Sequence, residues 1–190
     1  KRDSCDFQIN EEISEHILGD ANTVYRTKGE ELLLIAWKLT LQQFLGFSCL
    51  ILEAESHGRD AFENMDTSRT VGWFSMAYPV SIEAKQGTTR EIIISYKEQI
   101  RSAFQRRYEY GICKWIKGYQ IPMVHMARFN YLGNCDLPKG TPFKLVSVFP
   151  DNALTAPDTN IYPVELDIAL IHGKLHCRII CKEHQASWLA

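Results

Sequence analysis

The chain has 190 residues, of which 45% are hydrophobic and 23% are charged, and its formal net charge is −2. This length and composition are ordinary for one globular domain or one lobe of a larger domain, and the small net charge gives no reason to expect nucleic acid or a membrane as a partner. No apolar run approaches the ~20 residues of a membrane-spanning helix, and neither a secretory signal nor an initiating methionine is visible. We therefore expect a piece of a cytoplasmic protein.

Two helices are predicted in the first quarter of the chain. Asn10 can cap the first, over Glu11 to Leu18, and the two glutamates of its first turn suit the positive helix end. Its inward stripe is predicted to be Ile13, His16 and Ile17. The second helix is predicted from about Gly29 to Phe44 and is closed by Gly46. Apolar residues cover so much of its circumference that we expect it to be largely buried.

Ionisable residues follow a short apolar run in the middle of the chain. Cys49 to Leu52 is typical of a buried strand. The residues after it include a set of polar groups around Gly58: Glu53, Glu55, His57, Arg59 and Asp60. A rigid strand that delivers such groups into a loop is a common way to build a site in α/β enzymes. A second extended run is predicted through Tyr78, Val80 and Ile82.

A third long helix is predicted after Thr88, which has capping-box spacing with Glu91. Its apolar stripe consists of Ile93, Tyr96, Ile100 and Phe104. Four cations lie off that stripe: Lys97, Arg101, Arg106 and Arg107. They can form a solvated helix face, or they can dock an acidic carrier protein by complementary charge.

The last third of the chain is predicted to be rich in strands. Runs at Met126 to Tyr131 and Phe143 to Val148 read as strands, and Glu165 to Ile171 pairs with Lys174 to Cys181 through a two-residue turn. Together, these elements predict the α/β class, with a mixed sheet and flanking helices.

A cluster of potential metal ligands lies near the end of the chain: His176, Cys177, Cys181 and His184. On a strand rising ~3.3 Å per residue, the two cysteines would be ~13 Å apart, too far to share a zinc ion with ~2.3 Å bonds. We expect core packing there and no metal site. The chain also has no G-x-G-x-x-G, P-loop or G-x-S-x-G motif, so nucleotide binding and serine-hydrolase chemistry lack support.

Three segments resemble motifs of the epimerization domains of nonribosomal peptide synthetases. Glu55-Ser56-His57-Gly58-Arg59-Asp60 is similar to E-G-H-G-R-E. Arg69-Thr70-Val71-Gly72-Trp73-Phe74, followed by Tyr78-Pro79-Val80, is similar to R-T-V-G-W-F-T-x-x-Y-P. Phe129-Asn130-Tyr131-Leu132-Gly133-Asn134-Cys135-Asp136 is similar to F-N-Y-L-G-Q-F-D. The family pattern P-x-x-G-x-G-Y-G departs most, because only Tyr110-Gly111 survives of it.

These domains belong to the condensation-domain superfamily, which shares the two-lobed fold of chloramphenicol acetyltransferase. The resemblance implies that residues 1–190 form a single lobe, the C-terminal half of such a domain. The N-terminal lobe, which in the family carries an H-H-x-x-x-D-G motif, is absent from this sequence. The implied partners are that lobe and a peptidyl carrier protein. The implied substrate is carried on the phosphopantetheine of the carrier, with no cofactor bound directly by this chain.

The implied reaction inverts the α-carbon of a carrier-bound aminoacyl or peptidyl thioester from L to D. It needs an acid/base group on each side of that carbon and stabilisation of an enolate-like oxygen. Glu55, at the position of the family's glutamate, would be catalytic, and Tyr131 would offer its hydroxyl to the enolate. The remaining candidates would bind substrate: His57, Arg69, Trp73 and Asn130.

Structural roles are open for the same residues. Glu55 can be salt-bridged to Arg59 or Arg69, and His57 can organise its loop. Arg69 and Trp73 can be an anchored turn and a core aromatic. Tyr131 can be a buried tyrosine with a satisfied hydroxyl. The alternative function is accordingly a non-catalytic condensation-like lobe that binds carrier protein or scaffolds the synthetase.

Two structural expectations follow from the half-domain interpretation. Glu55 and Tyr131 each end an apolar run, so their side chains should lie on the same face of the sheet and converge in a crevice. An isolated lobe should also expose apolar surface near Glu55, Trp73 and Tyr131 that the missing lobe would cover.

Overall fold

The computed structural model describes residues 2–46, 48–59, 66–120, 127–149 and 162–182. These residues form a six-stranded mixed sheet in the order β1-β6-β5-β4-β2-β3. The strands are β1 (Arg2–Ile9), β2 (Cys49–Ser56), β3 (Met76–Glu83), β4 (Ala127–Asn134), β5 (Val164–Ile171) and β6 (Lys174–Lys182). The β2–β4 and β4–β5 pairs are parallel, and the other pairs are antiparallel. The predicted α/β class with a mixed sheet is confirmed.

The helices are α1 (Glu11–Leu18), α2 (Asp20–Tyr25), α3 (Gly29–Leu45), α4 (Thr89–Gln105) and α5 (Arg107–Gly111), with a π-helical turn at Ile112–Ile116. The long helices α3 and α4 pack against one face of the sheet. Gly46 ends α3 with φ of 71°, a conformation that glycine adopts without strain. Thr88 and Glu91 form the predicted capping box at the start of α4. The three predicted helices are therefore confirmed.

Strand residues alternate between two faces of the sheet that differ in chemistry. The helix-covered face carries the core, including Leu52, Val80, Phe129, Leu166 and Ile179. We call the opposite side the polar face. The strand register places its charged residues side by side in the pairs Glu53–Arg128, Arg128–Glu165, Asp167–Arg178 and Asp6–Arg178.

Two sequence predictions about the strands are corrected, and one strand was missed. β2 continues past Leu52 to Ser56, so Glu53 and Glu55 lie within the strand. The segment Phe143 to Val148 forms no strand, and the side chains of Phe143 and Val146 are exposed. The first strand, β1, was not predicted.

The four cations do not all form the predicted solvated face: Arg106 is exposed and pairs with Glu109, but the other three contact neighbouring segments. Lys97 is buried and donates to the carbonyl oxygen of Tyr25, at 3.0 Å. Arg101 pairs with Glu31, with its Nε 2.7 Å from Oε1. Arg107 is buried, with its guanidinium 3.8 Å from the ring centre of Phe104. These cations hold helices together instead. Among the described helices, none has the length and apolarity to cross a bilayer.

Candidate functional site

Glu55 lies on the polar face and pairs with Arg128. Its Oε1 accepts a hydrogen bond of 3.0 Å from Nη1 of the arginine. Neither Arg59 nor Arg69 makes this contact, so the salt bridge predicted for Glu55 exists but with a different partner. β4 supplies that partner because it lies parallel to β2, with Arg128 opposite Glu53.

Two further carboxylates on β5 hold the same guanidinium. Glu165 Oε2 lies 2.8 Å from Arg128 Nε, and the oxygens of Asp167 lie 3.0 and 3.3 Å from Nη2. Burial opposes the charge of Arg128, but Asp167, Glu165 and Glu55 outweigh this effect and raise the pKa of the guanidinium. We refer to Arg128 with Glu55, Glu165 and Asp167 as the arginine–carboxylate array.

Burial also acts on the carboxylates of this array. It raises the pKa of Asp167, against the lowering effect of Arg128 and of a hydrogen bond from Asn130. Asn130 therefore lies on the polar face and contacts the array through Asp167. Beside the array, the Tyr162 hydroxyl donates a hydrogen bond to Oε1 of Glu53. Burial and that bond raise the pKa of Tyr162, so the phenol stays protonated.

Tyr131 lies on the opposite face from Glu55. Its strand neighbour Phe129 belongs to the helix-covered core, and Tyr131 itself packs against that core. Burial raises the pKa of its hydroxyl. The expectation that Glu55 and Tyr131 project from the same face is therefore wrong. Side chains of β4 alternate between the two faces of the sheet, so Arg128 and Asn130 share the face of Glu55 and Tyr131 lies on the other.

The two residues do border one cavity at the end of the sheet. This cavity of about 160 Å³ lies between α3, α4 and the ends of β2 and β4, and both Glu55 and Tyr131 are among its lining residues. The rest of the lining combines aromatic and aliphatic residues (Leu34, Ala54, Tyr78, Ile100, Phe104 and Phe129) with the charged residues Lys28, Glu30, Glu31 and Arg101. Burial and Glu30 raise the pKa of Tyr78 to about 12, so this lining keeps its hydroxyl neutral.

The loop after β2 is organised by Arg59. Its guanidinium donates to the carbonyl oxygens of Thr67 and Thr70, at 2.7 and 3.2 Å, and lies 4.1 Å from the ring centre of Phe74. The exposed His57 accepts a 3.1 Å hydrogen bond at Nδ1 from the backbone N–H of Arg59. This hydrogen bond within the loop fits the structural role, in which His57 organises the loop. Asp60, the last residue of this motif, lies outside the described residues.

Two predicted substrate-binding residues are on the surface. Arg69 is exposed, and Trp73 is 90% exposed. The core interpretation of Trp73 is wrong, because Phe74 takes the inward contact with Arg59 instead. Val71 and Leu132 are exposed as well. Exposed apolar residues thus occur on the segment before β3 and near the end of β4. That a second lobe covers them stays a prediction.

The metal interpretation of the C-terminal cysteines finds no support in the ranges that the structure describes, where His, Cys, Asp and Glu form no metal-binding group. Cys177 and Cys181 are buried on β6, and burial raises the pKa of the Cys177 thiol to about 12. His184 lies outside the described residues.

Arg128, Glu165 and Asp167 were missed from the sequence. Their signal was a pair of polar residues two positions apart in each strand: Arg128 and Asn130 on β4, and Glu165 and Asp167 on β5. That pattern marks a strand with one polar face. The sequence alone does not pair them, because about 30 residues separate β4 from β5, and β3 and α4 lie between β2 and β4 in the chain.

Comparison with known proteins adds a family and relatives. Residues 1–183 match the family model described as the condensation domain. Bacitracin synthase 3 of Bacillus licheniformis is 30% identical over 178 residues, covering 88% of this chain and 3% of that protein. Gramicidin S synthase 1 of Brevibacillus brevis is 28% identical over 196 residues, covering 94% of this chain and 18% of that protein.

A solved structure agrees in fold. The epimerization domain from the third module of tyrocidine synthetase B superposes with a TM-score of 0.76 at 21% identity, over 97% of this chain and 43% of that one. The chain therefore spans less than half of that structure and only a small part of the synthetases that it resembles.

Proposed function

Because this chain belongs to the condensation-domain family, we propose that it is the C-terminal lobe of an epimerization domain in a nonribosomal peptide synthetase. Completed by an N-terminal lobe, it inverts the α-carbon of a carrier-bound aminoacyl or peptidyl thioester from L to D. The observation that carries this proposal is Glu55, which stands in the E-G-H-G-R-E-like segment and is held on the polar face by Arg128. The coverage of 43% of an epimerization domain supports the assignment to one lobe.

In this mechanism Glu55 exchanges a proton with the substrate. Its carboxylate takes the α-proton, and the electrons of the broken C–H bond move onto the thioester oxygen as an enolate. A group on the other side of the carbon, which we assign to a histidine of the N-terminal lobe, returns a proton to the opposite face. The phosphopantetheine arm of a peptidyl carrier protein presents the thioester, and this chain binds no cofactor itself.

The other candidates are assigned to substrate contact. Asn130 lies beside the array, and Tyr131 reaches the crevice around the end of the sheet, where it borders the same cavity as Glu55. A neutral Tyr131 hydroxyl there can donate to the enolate oxygen. His57, Arg69 and Trp73 lie on the exposed loops, and we assign them to the channel that forms when the N-terminal lobe covers this surface.

A second candidate function is a non-catalytic lobe that binds carrier protein or scaffolds the synthetase. One observation favours it. Where the family has the glycine-rich P-x-x-G-x-G-Y-G segment, this chain has helix α5, with Arg107 stacked between Phe104 and Tyr108. Replacing flexible glycines with a helix changes how a substrate could enter.

The test follows solvent deuterium entering the α-carbon of an aminoacyl thioester on a carrier protein. The chain alone should show no exchange above Glu55→Gln, since loss of one of two acid/base groups costs ~10²–10⁴-fold. Adding an N-terminal lobe that carries H-H-x-x-x-D-G should give exchange and inversion, which Glu55→Gln abolishes.

Three results would contradict this proposal in different ways. Exchange that persists in Glu55→Gln would remove Glu55 from the chemistry. A peptide bond formed between two loaded carriers, without inversion, would indicate condensation. Carrier binding with no change in the substrate would indicate the scaffold function.

A further inference from the structure

We propose that Arg128 is a positioning residue that fixes the Glu55 carboxylate for proton transfer. This inference rests on the proposed function and adds to it a group that the motif resemblance does not include. Arg128 does not touch the substrate in this proposal; it acts through Glu55.

The contacts of the guanidinium show how it can hold Glu55 in one orientation. Both oxygens of Asp167 accept hydrogen bonds from Nη2, and Glu165 Oε2 lies 2.8 Å from Nε as an ion pair whose geometry is not that of a hydrogen bond, so two carboxylates from β5 hold the inner side of the group. The remaining nitrogen, Nη1, then points its donor at Glu55 Oε1, at 3.0 Å. Since the guanidinium is a rigid planar fork, holding Nη2 on Asp167 and Nε beside Glu165 restricts where Nη1 can point.

Burial falls outward along the array. The side chains of Glu165, Asp167 and Glu55 are 7%, 15% and 27% exposed, respectively. The two inner carboxylates are thus anchors, and Glu55 is the outermost member. Among the described residues Glu55 Oε2 has no hydrogen-bond partner, so one oxygen is held and the other is available to a substrate.

The charge of Arg128 matters as much as its shape. Three carboxylates share this one cation, and Glu53 lies opposite it on β2. Without the guanidinium, like charges at this distance would repel one another, and a carboxylate would move away or take up a proton. Either response would displace Glu55 or remove its capacity to accept the α-proton.

Arg178 provides a matched control on the same face. Its Nε and Nη2 bind the two oxygens of Asp6 at 2.6 and 2.7 Å, and its Nη1 donates to the carbonyl oxygen of Phe149. Its side chain is no more exposed than that of Arg128, and it is similarly bidentate, but it makes no contact with Glu55. Its replacement therefore tests what loss of a polar-face arginine does to the sheet and to Asp167, which lies opposite it on β5, while the contact with Glu55 is kept.

The experiment measures α-deuterium exchange in the complex of this chain with its N-terminal lobe, for Arg128→Ala, Arg128→Lys and Arg178→Ala. We expect Arg128→Ala to lower kcat by ~10²-fold with little change in KM, because misplacing a catalytic group by about 1 Å costs that much. Guanidinium ion at millimolar concentration should restore part of that rate, since it can enter the space left by the side chain. Arg178→Ala should keep the rate and gain nothing from guanidinium.

If Arg128→Ala fails to fold, Arg128→Lys and Asp167→Asn test the same inference. Lysine keeps the charge but not the fork, and Asp167→Asn loosens the anchor without touching Glu55, so each should lower kcat. The double variant Arg128→Lys with Asp167→Asn should lose less activation free energy than the sum of the two single losses, because both substitutions act through the same contact with Glu55.

Three results would overturn the inference and leave the proposed function intact. They are equal rates for the Arg128 and Arg178 variants, additive losses in the double variant, and a loss confined to KM. An absence of exchange with the unsubstituted chain would overturn both.

Discussion

At the scale of single residues, the sequence identified the glutamate but not its setting. Glu55 could be singled out from its motif, because a motif is read along the chain. Its partner Arg128 could not, because it is brought in by strand pairing between segments far apart in sequence. The same limit explains Trp73. Its side chain looked like a core aromatic, but only the folded loop decides that Phe74 packs inward and Trp73 faces solvent.

Gly58 shows how closely the loop after β2 approaches β3. It has φ of 60°, and a Cβ added there would collide with the carbonyl oxygen of Phe74. Gly58→Ala should therefore lower the free energy of unfolding by about 1–3 kcal/mol, from left-handed strain and from the clash. Urea denaturation of the whole chain measures this.

Gly133→Ala is the matched control for that substitution. Gly133 has a similar φ of 74°, but nothing lies within 4 Å of an added Cβ. It should show only the strain. Equal destabilisation by the two substitutions would mean that the loop can move away from Phe74 and that its contact with β3 is not fixed.

At the scale of helices and strands, local signals were sufficient for the helices and insufficient for the edge of the sheet. Caps and glycine stops lie within a few residues of the helix that they bound, so α1, α3 and α4 could be predicted. β1 could not, because its partner β6 lies at the far end of the chain. The predicted inward face of α1 was only partly correct: Ile17 packs against the core, but His16 is exposed. Ile13 is 48% exposed, whereas Ser14 is buried and accepts a 3.1 Å hydrogen bond from the N–H of Leu175. Apolar periodicity does not reveal such a polar contact.

The capping box of α4 allows a prediction with a pH dependence. Thr88→Ala should destabilise the protein by about 0.5–2 kcal/mol near neutral pH, since it removes a cap to the N–H of Glu91. Hydrogen bonds from the backbone and side chain of Thr88 lower the pKa of Glu91. The stabilisation linked to that lowered pKa is present above the ordinary glutamate range and is lost as pH falls through the folded value.

The difference between Thr88→Ala and the unsubstituted protein should therefore shrink in acid. Thermal unfolding at several pH values measures it. A difference that stays constant down to the acid range would show that Glu91 does not take part in the cap. Asn10→Ala, which removes the cap of α1, provides a cap loss without a partner glutamate for comparison.

At the scale of the whole molecule, the sheet has one apolar face that packs against the helices and one face that carries charged side chains. The helices cover the first, whereas the second carries the array. The order of strands, with β4 between β2 and β5, brings the site together from three separated segments. Composition and periodicity predicted that a mixed sheet would form. They did not give the strand order, because parallel strands in such a sheet need long connections that carry little sequence signal.

The exposed loop beside the site predicts binding of an N-terminal lobe. Calorimetry should detect a complex, and Trp73→Ser should weaken it by about tenfold or more, because large exposed aromatics often dominate interface energies. Trp115→Ser is the control, as Trp115 is also exposed but lies in the π-helical turn. No binding heat, or the same loss from both substitutions, would mean that this surface is not the lobe interface.

The pairing of the first strand with the last has a consequence for how the chain can be connected. Arg2 lies opposite Lys182 at one corner of the sheet, so their Cα atoms are about 5 Å apart. A short linker could join these two points without disturbing the register, and new termini could then be opened at an exposed turn such as Lys139–Gly140. Polypeptide attached before Arg2 and polypeptide attached after Lys182 would likewise leave from the same corner. In a longer chain, the segments on either side of this fold would therefore start close together rather than at opposite ends of it.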